Sequence, residues 1–207
     1  MTFHPAMRQV IESLDVKGKV CEMGNQRFTA GNDFPSTQAF YESRGLAYLA
    51  LDVNERMGAK IWDLNTLGAR DQYGTFDLVT NNGTSEHIFN QYTVFRNIHE
   101  LSSNLMVHML PFTPWINHGF YNYNPLFFAD LALTNDYEIL RAAICDRLGN
   151  FIELGSWGFQ EYSSTFKKNP EMGSVLTDNQ FCCFVFRKKE DEPFGIPFQG
   201  KYLKDRV

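Results

Sequence analysis

The chain has 207 residues, 43% of them hydrophobic and 21% charged, and 19 basic residues against 24 acidic ones give a net charge of −5. These proportions exclude a disordered chain, and we expect a single domain over residues 1–207 with a surface tail from about residue 190. The acidic balance without a Lys/Arg stripe argues against a nucleic-acid partner, and no apolar run is long enough to span a membrane. Glu12 and Asp15 interrupt the region where a signal peptide would be apolar, so we expect a cytoplasmic protein.

The four cysteines are Cys21, Cys145, Cys182 and Cys183. None of them forms the CxxC spacing that is typical of zinc sites and thioredoxin-type redox motifs. We therefore expect reduced, buried thiols without a catalytic role.

Short apolar runs that predict strands alternate along the chain with longer amphipathic runs that predict helices. Ser36 and Asn124, each next to a proline, are the start signals of two of these helices. In chain order we predict a helix over residues 4–14, a strand over 19–23, a helix over 36–44, a strand over 47–53, a short strand near 61, a strand over 76–80, a helix over 91–101, a strand over 105–110, a helix over 125–134, and strands over 137–144 and 180–187.

This alternation predicts a mostly parallel sheet covered by helices on both faces, which is a Rossmann-like three-layer α/β sandwich. Residues 148–177 are rich in Gly, Ser and aromatic side chains and show little helical pattern. The last strand, over residues 180–187, is therefore expected to return as a hairpin and to lie antiparallel at or near an edge of the sheet.

Acidic and amide side chains follow the predicted strands at their carboxyl ends, where parallel sheets bind ligands. An acid at such a position bonds ribose hydroxyls, and a glycine lets a ligand approach the backbone. The same residues are also common turn formers and helix caps, so each one taken alone is ambiguous. The group consists of Glu22, Gly24, Asn25, Asp52, Val53, Asp63, Leu64, Asn81 and Asn82.

In their order, these residues resemble the class I S-adenosylmethionine-dependent methyltransferases over roughly residues 18–140. Glu22-Met23-Gly24 resembles the first motif of that family, Asp52 its ribose-binding acid, and Asp63-Leu64 its adenine-contacting pair. The resemblance implies S-adenosyl-L-methionine as the cofactor, held by the nine residues given above. This chain differs from the family in three places. Bulky residues follow Gly24 (Asn25, Gln26 and Arg27), an insertion is expected near residues 29–35, and the spacing between Asp52 and Asp63 is short.

A nicotinamide enzyme is the other cofactor class that such a fold accommodates. A dinucleotide site needs the GxGxxG turn that brings a helix N-terminus against pyrophosphate. The chain has only Gly24 at that turn, so the sequence argues against this reading.

Catalytic candidates follow the fourth and fifth strands of the methyltransferase pattern. Glu86-His87 and the loop residues His118 and Tyr121 are expected to face the reaction centre. A neutral imidazole is suited to deprotonating a hydroxyl or an amine, although His87 could equally cap a helix. Some related oxygen-methylating enzymes carry an additional acid three positions before this Glu, which completes a metal site. This chain has Gly83 there, so we expect no metal at Glu86-His87.

Aromatic and amide side chains alternate in the loop before residue 125, a mixture that suits a sugar ring or a polar aromatic compound. We therefore expect a small-molecule acceptor, with a saccharide or nucleotide sugar as one class. The alternative is a non-catalytic module of the same fold that binds a nucleoside or a partner protein. The chain is expected to be a monomer or a homodimer, with Phe194, Phe198 and Tyr202 of the tail available to a second subunit.

Overall fold

A computed structural model describes residues 2–28, 33–154 and 179–200. Most of the predicted insertion, most of the stretch over 148–177 and the tail residue Tyr202 lie outside these described residues. Within the described residues, no helix has both the length and the apolar character needed to cross a membrane.

An eight-stranded sheet forms the centre of the fold, in the order β5-β4-β2-β6-β7-β10-β8-β9. The first five strands in that order are parallel, whereas β10 is antiparallel to both neighbours and β9 is antiparallel to β8. A separate parallel pair joins β1 to β3. The strands are β1 (Thr2–Phe3), β2 (Gly18–Met23), β3 (Arg27–Phe28), β4 (Leu46–Asp52), β5 (Lys60–Ile61), β6 (Phe76–Asn82), β7 (Ser102–Thr113), β8 (Glu138–Cys145), β9 (Phe151–Glu153) and β10 (Gln180–Arg187).

Helices cover both faces of the sheet, which confirms the predicted three-layer α/β class. Asn90 and Asn124 start two of the helices by accepting backbone hydrogen bonds, and Ser36 does the same for a third. Arg56–Gly58 and Ser85–His87 form single 3₁₀ turns. The α-helices are α1 (Pro5–Ser13), α2 (Thr37–Ser43), α3 (Ala69–Tyr73), α4 (Gln91–Leu101) and α5 (Pro125–Thr134).

The sequence predicted β10 at or near an edge of the sheet. Among the described residues it lies inside the sheet, two strands from the edge, and its antiparallel direction is confirmed. β10 lies between β7 and β8, with β9 beyond them. Seven of its eight residues are buried. Its nearly continuous apolar run is typical of a strand that is covered on both faces of the sheet.

Two hydrophobic clusters fill the space between the sheet and its helices. One cluster joins the sheet to α3, α4 and α5, and in it Phe128 stacks on Phe184 with ring centroids 4.7 Å apart. The other joins it to α1 and α2 around Phe3, Phe40 and Tyr41. The four cysteines are buried and free, as predicted.

The C-terminal segment packs on its own chain as far as residue 200. The ring of Phe194, expected to be available to a second subunit, contacts Tyr92 and His99 at centroid distances of 5.9 and 5.5 Å. The buried ammonium of Lys188 donates to the carbonyl oxygens of His99 and Ser102. These contacts tie the segment to the end of α4.

Candidate functional site

Glu22 lies buried near the carboxyl end of β2, with 1% of its surface exposed. Its Oε2 accepts hydrogen bonds from the Tyr48 hydroxyl at 2.7 Å, the Thr37 hydroxyl at 3.1 Å and the Gln26 backbone at 3.3 Å. Burial raises the pKa of Glu22 to about 7, because desolvation of the carboxylate outweighs these donors. Glu22 therefore fixes α2 and β4 around the loop that follows β2, which we call the first loop, rather than facing solvent.

Asp52 ends β4 directly beside that loop. Its Oδ2 accepts from the backbone N–H of Asn25 at 2.8 Å, and its Oδ1 accepts from the backbone and side chain of Asn54. Gly24 makes the turn possible with a φ of 75° and donates to the Leu51 carbonyl oxygen. The half-buried carboxylate of Asp52 thus bridges two strand ends, next to the exposed side chain of Val53.

Asp63 and Leu64 have different surroundings, although they are adjacent. Asp63 is exposed, and its Oδ1 accepts from the backbone and the side chain of Asn65, which is the hydrogen bonding of an Asx turn. The side chain of Leu64 is buried in the hydrophobic core. A ligand at the strand ends therefore cannot contact the side chain of Leu64, whereas Asp63 is accessible.

Gln26 was not among the predicted site residues, yet it occupies the centre of the first loop. Its side chain is fully buried, and its Nε2 donates to the carbonyl oxygen of Asn82 at 2.8 Å. The amide of Asn82 donates in turn to Gln26 Oε1 and to the carbonyl oxygen of Thr2. The sequence contained a signal for this role, because the bulky amide of Gln26 lies where the family resemblance leads us to expect glycine.

Asn81 holds the turn that follows β6 rather than pointing to an open crevice. Its amide exchanges hydrogen bonds with the side chain and backbone of Ser85 and contacts His108 Nδ1 at 3.2 Å. The hydroxyl of Tyr123 also donates to Ser85 Oγ at 3.0 Å. This network fixes the 3₁₀ turn that carries Glu86 and His87.

The structure brings Glu86, His87 and His118 together. Glu86 Oε1 lies 3.7 Å from His87 Nε2 and 3.4 Å from His118 Nε2, and the two imidazole centroids are 5.0 Å apart. Glu86 is completely buried, whereas both imidazoles are 37% exposed. We name these three residues the Glu-His-His cluster.

Burial dominates the electrostatics of the Glu-His-His cluster. It raises the pKa of Glu86 to about 8, and it lowers the pKa of both His87 and His118. A second positive group also lowers each pKa by electrostatic repulsion. It is His118 for His87, and Arg147 for His118. Two neutral imidazoles beside a carboxyl group are therefore the expected state near pH 7.

The loop after β7 is clamped onto Glu86 through its backbone. The N–H groups of Phe120 and Tyr121 both donate to the Glu86 carbonyl oxygen, at 2.8 and 3.3 Å. A Cβ at Gly119 would lie 2.9 Å from that oxygen and 3.0 Å from Glu86 Cγ, so the loop approaches this closely only with glycine there. The clamp places His118 beside Glu86.

The aromatic residues of this loop divide between the core and the surface. Trp115 is buried and its indole N–H donates to the Gln180 carbonyl oxygen, while its ring contacts His118 at 4.6 Å. Phe120 is exposed. The hydroxyl of Tyr121 donates to the carbonyl oxygen of Phe89. Phe120 is therefore accessible to an acceptor, whereas Trp115 is not.

No protein-family model matches the chain, and neither does any curated protein. Solved structures do match. An O-methyltransferase from a trans-AT PKS multienzyme of Brevibacillus brevis, in complex with S-adenosyl-L-homocysteine, has a TM-score of 0.53 and 16% identity over 91% of this chain and 73% of its own. Magnesium protoporphyrin IX methyltransferase from Synechocystis PCC 6803, with bound SAM, has a TM-score of 0.52 and 13% identity over 88% of this chain and 76% of its own.

A third structure, described as StiE O-MT, has a TM-score of 0.55 and 15% identity over 88% of this chain and 72% of its own. In this chain, five parallel strands are followed by an antiparallel strand next to β7. At such low identity the likeness concerns the architecture. The chain has the fold of the class I S-adenosylmethionine-dependent methyltransferases.

Proposed function

We propose that the protein is an enzyme that transfers a methyl group from S-adenosyl-L-methionine to a small-molecule acceptor. The observation that carries this proposal is the position of Asp52, a half-buried acid at the carboxyl end of β4 that lies directly across from the Gly24 turn. Ligands of open α/β sheets bind at these strand ends. Two of the structural neighbours hold S-adenosylmethionine or its demethylated product.

In this proposal, the cofactor lies across the ends of β2, β4 and β6. Asp52 accepts hydrogen bonds from the ribose hydroxyls, and the exposed Val53 packs beside the nucleoside. The base is read by Asp63 and the backbone of Leu64. The remaining predicted contacts support the loop from within the protein. The side chains of Glu22, Asn25, Asn81 and Asn82 bond mostly to other protein groups, and Gly24 donates its backbone N–H to Leu51.

The acceptor would bind at the Glu-His-His cluster, next to the loop that carries Tyr121. Methyl transfer from a sulfonium is an in-line displacement, so the protein contributes mainly by positioning the two reactants and excluding water. A neutral imidazole of His87 or His118 is placed to take the proton that a hydroxyl or amine acceptor loses. A saccharide or nucleotide sugar fits the mixture of aromatic and amide side chains.

Calorimetric titration with S-adenosylmethionine and, separately, with NADH tests the proposal. We expect micromolar binding of the first and none of the second. Asp52→Ala should weaken the binding of S-adenosylmethionine at least tenfold, because two hydrogen bonds to a charged group are lost. Asp71→Ala, which removes an acid in α3, is the matched control and should bind as the wild type does.

The position of Gln26 favours a second candidate function, which is that of a non-catalytic module of the same fold. Its buried side chain occupies the loop where the resemblance expects glycine, which reduces the room for a cofactor. Gln26→Gly distinguishes the two functions. Binding of S-adenosylmethionine by the wild type supports the enzyme, whereas binding only by Gln26→Gly, or by neither protein, supports the module.

A further inference from the structure

We propose that Glu86, His87 and His118 bind a divalent transition-metal ion. One ligand atom from each side chain lies within 4.8 Å of the other two. Two metal–ligand bonds of about 2.1 Å at a tetrahedral angle place their ligand atoms about 3.4 Å apart. The distances from Glu86 Oε1 to the imidazole nitrogens, 3.4 and 3.7 Å, are close to that value.

The carboxylate of Glu86 is an independent reason to expect a ligand. The residue is 0% exposed, and neither of its oxygens has a hydrogen-bond partner among the described residues. A buried carboxyl group without hydrogen-bond partners is costly, and such groups in proteins are protonated, paired or bound to metals. Both imidazoles stand beside the unpaired oxygens, so an ion between the three groups satisfies them together.

The backbone around the Glu-His-His cluster is fixed before any ion arrives. The network of Asn81, Ser85 and Tyr123 holds the turn of Glu86 and His87, and the two hydrogen bonds to the Glu86 carbonyl oxygen hold the loop of His118. Gly119 allows this approach, because any Cβ there would collide with Glu86. Ligands held in this way bind a metal without having to order the chain first.

Two nitrogens and one carboxylate oxygen select the kind of ion. This donor set is typical of open zinc sites and of other first-row transition metals, whereas Mg²⁺ prefers oxygen ligands alone. Both imidazoles are partly exposed, so the ion stays accessible to a further ligand. If the proposed methyl transfer is correct, that ligand is an oxygen atom of the acceptor, and with the ion bound His87 and His118 serve as metal ligands in place of a general base. Ion binding itself does not depend on the proposed function.

The sequence argument expected no metal because it counted only the adjacent Glu86 and His87. The third ligand comes instead from His118, 32 positions further along the chain. One sequence alone does not indicate which distant residue is the third ligand, and the clamp between the two loops brings His118 into place.

Titration of the full-length chain, stripped of metal with a chelator, tests the proposal. We expect calorimetry to show one Zn²⁺ bound with micromolar or tighter affinity, no comparable binding of Mg²⁺, and a visible absorption band with Co²⁺. His118→Asn should weaken Zn²⁺ binding at least tenfold, and Glu86→Gln should do the same. His4→Asn, which changes a histidine outside the cluster, is the control and should bind as the wild type does.

Circular dichroism verifies that each variant is folded, and His118→Asn is informative even if Glu86→Gln unfolds, because His118 is partly exposed. Absence of Zn²⁺ binding by the wild type would overturn the proposal, and so would equal binding by folded His118→Asn. Titration with S-adenosylmethionine in the presence of the chelator separates the two proposals. Zn²⁺ binding without cofactor binding would reject the methyltransferase and keep the metal site.

Discussion

Replacing the buried Glu22 with Gln should change how the stability of the protein depends on pH. Burial raises the pKa of Glu22 in the folded protein to about 7 from an ordinary value of 4.5. The folded state therefore holds its proton more tightly than the unfolded state does, and stability falls as the pH rises between these two values. At about 1.4 kcal/mol per pH unit, the whole difference amounts to about 3 kcal/mol.

Urea unfolding at pH 5 and pH 8 measures this contribution. Between the two pH values, the free energy of unfolding of the wild type should fall by about 2 to 3 kcal/mol more than that of Glu22→Gln. This is less than the whole difference because part of the change already occurs below pH 5. Any contribution from Glu86 is present in both proteins and cancels in the comparison. Glu55→Gln, at an exposed position, should follow the wild type. Parallel pH dependences for wild type and Glu22→Gln would refute the reasoning.

Three further predictions concern packing. Gly119→Ala should lower the free energy of unfolding by about 1 to 3 kcal/mol, because its Cβ meets the Glu86 carbonyl oxygen; an unchanged melting temperature would contradict this contact. Phe128→Ala should cost about 3 to 5 kcal/mol in urea unfolding, since a fully buried ring that stacks on Phe184 is lost, and a cost below 1 kcal/mol would contradict that packing. The four cysteines should react slowly with an alkylating reagent until urea unfolds the chain, because all are buried; rapid labelling of the folded protein would contradict their burial.

The sequence was most informative where local chemistry determines local structure. The helices predicted over 91–101 and 125–134 have those bounds in the structure. The first was predicted from its apolar spacing, and the second also from Asn124, which caps it. The bounds predicted for the strand over residues 180–187 also agree with the structure. Its place in the sheet was missed, since the neighbours of a strand depend on the path of the whole chain and not on its own residues.

The candidate site was predictable only in part for the same reason. Strand-end residues such as Asp52 could be identified, because each follows an apolar run directly. The buried bridge from Gln26 to Asn82 and the approach of His118 to Glu86 join segments that are far apart in the chain. The two-residue strands β1 and β3 were also missed, because so short a run shows no periodicity.

The most direct test of the proposed function is a crystal structure with S-adenosyl-L-homocysteine bound. We predict that the ribose hydroxyls lie within hydrogen-bond distance of the Asp52 carboxylate. The sulfur atom should point towards the cluster of Glu86, His87 and His118, where the acceptor would bind. A ligand bound elsewhere, or a crevice that remains closed by Gln26 at saturating ligand, would contradict the proposal that this fold acts here as a methyltransferase.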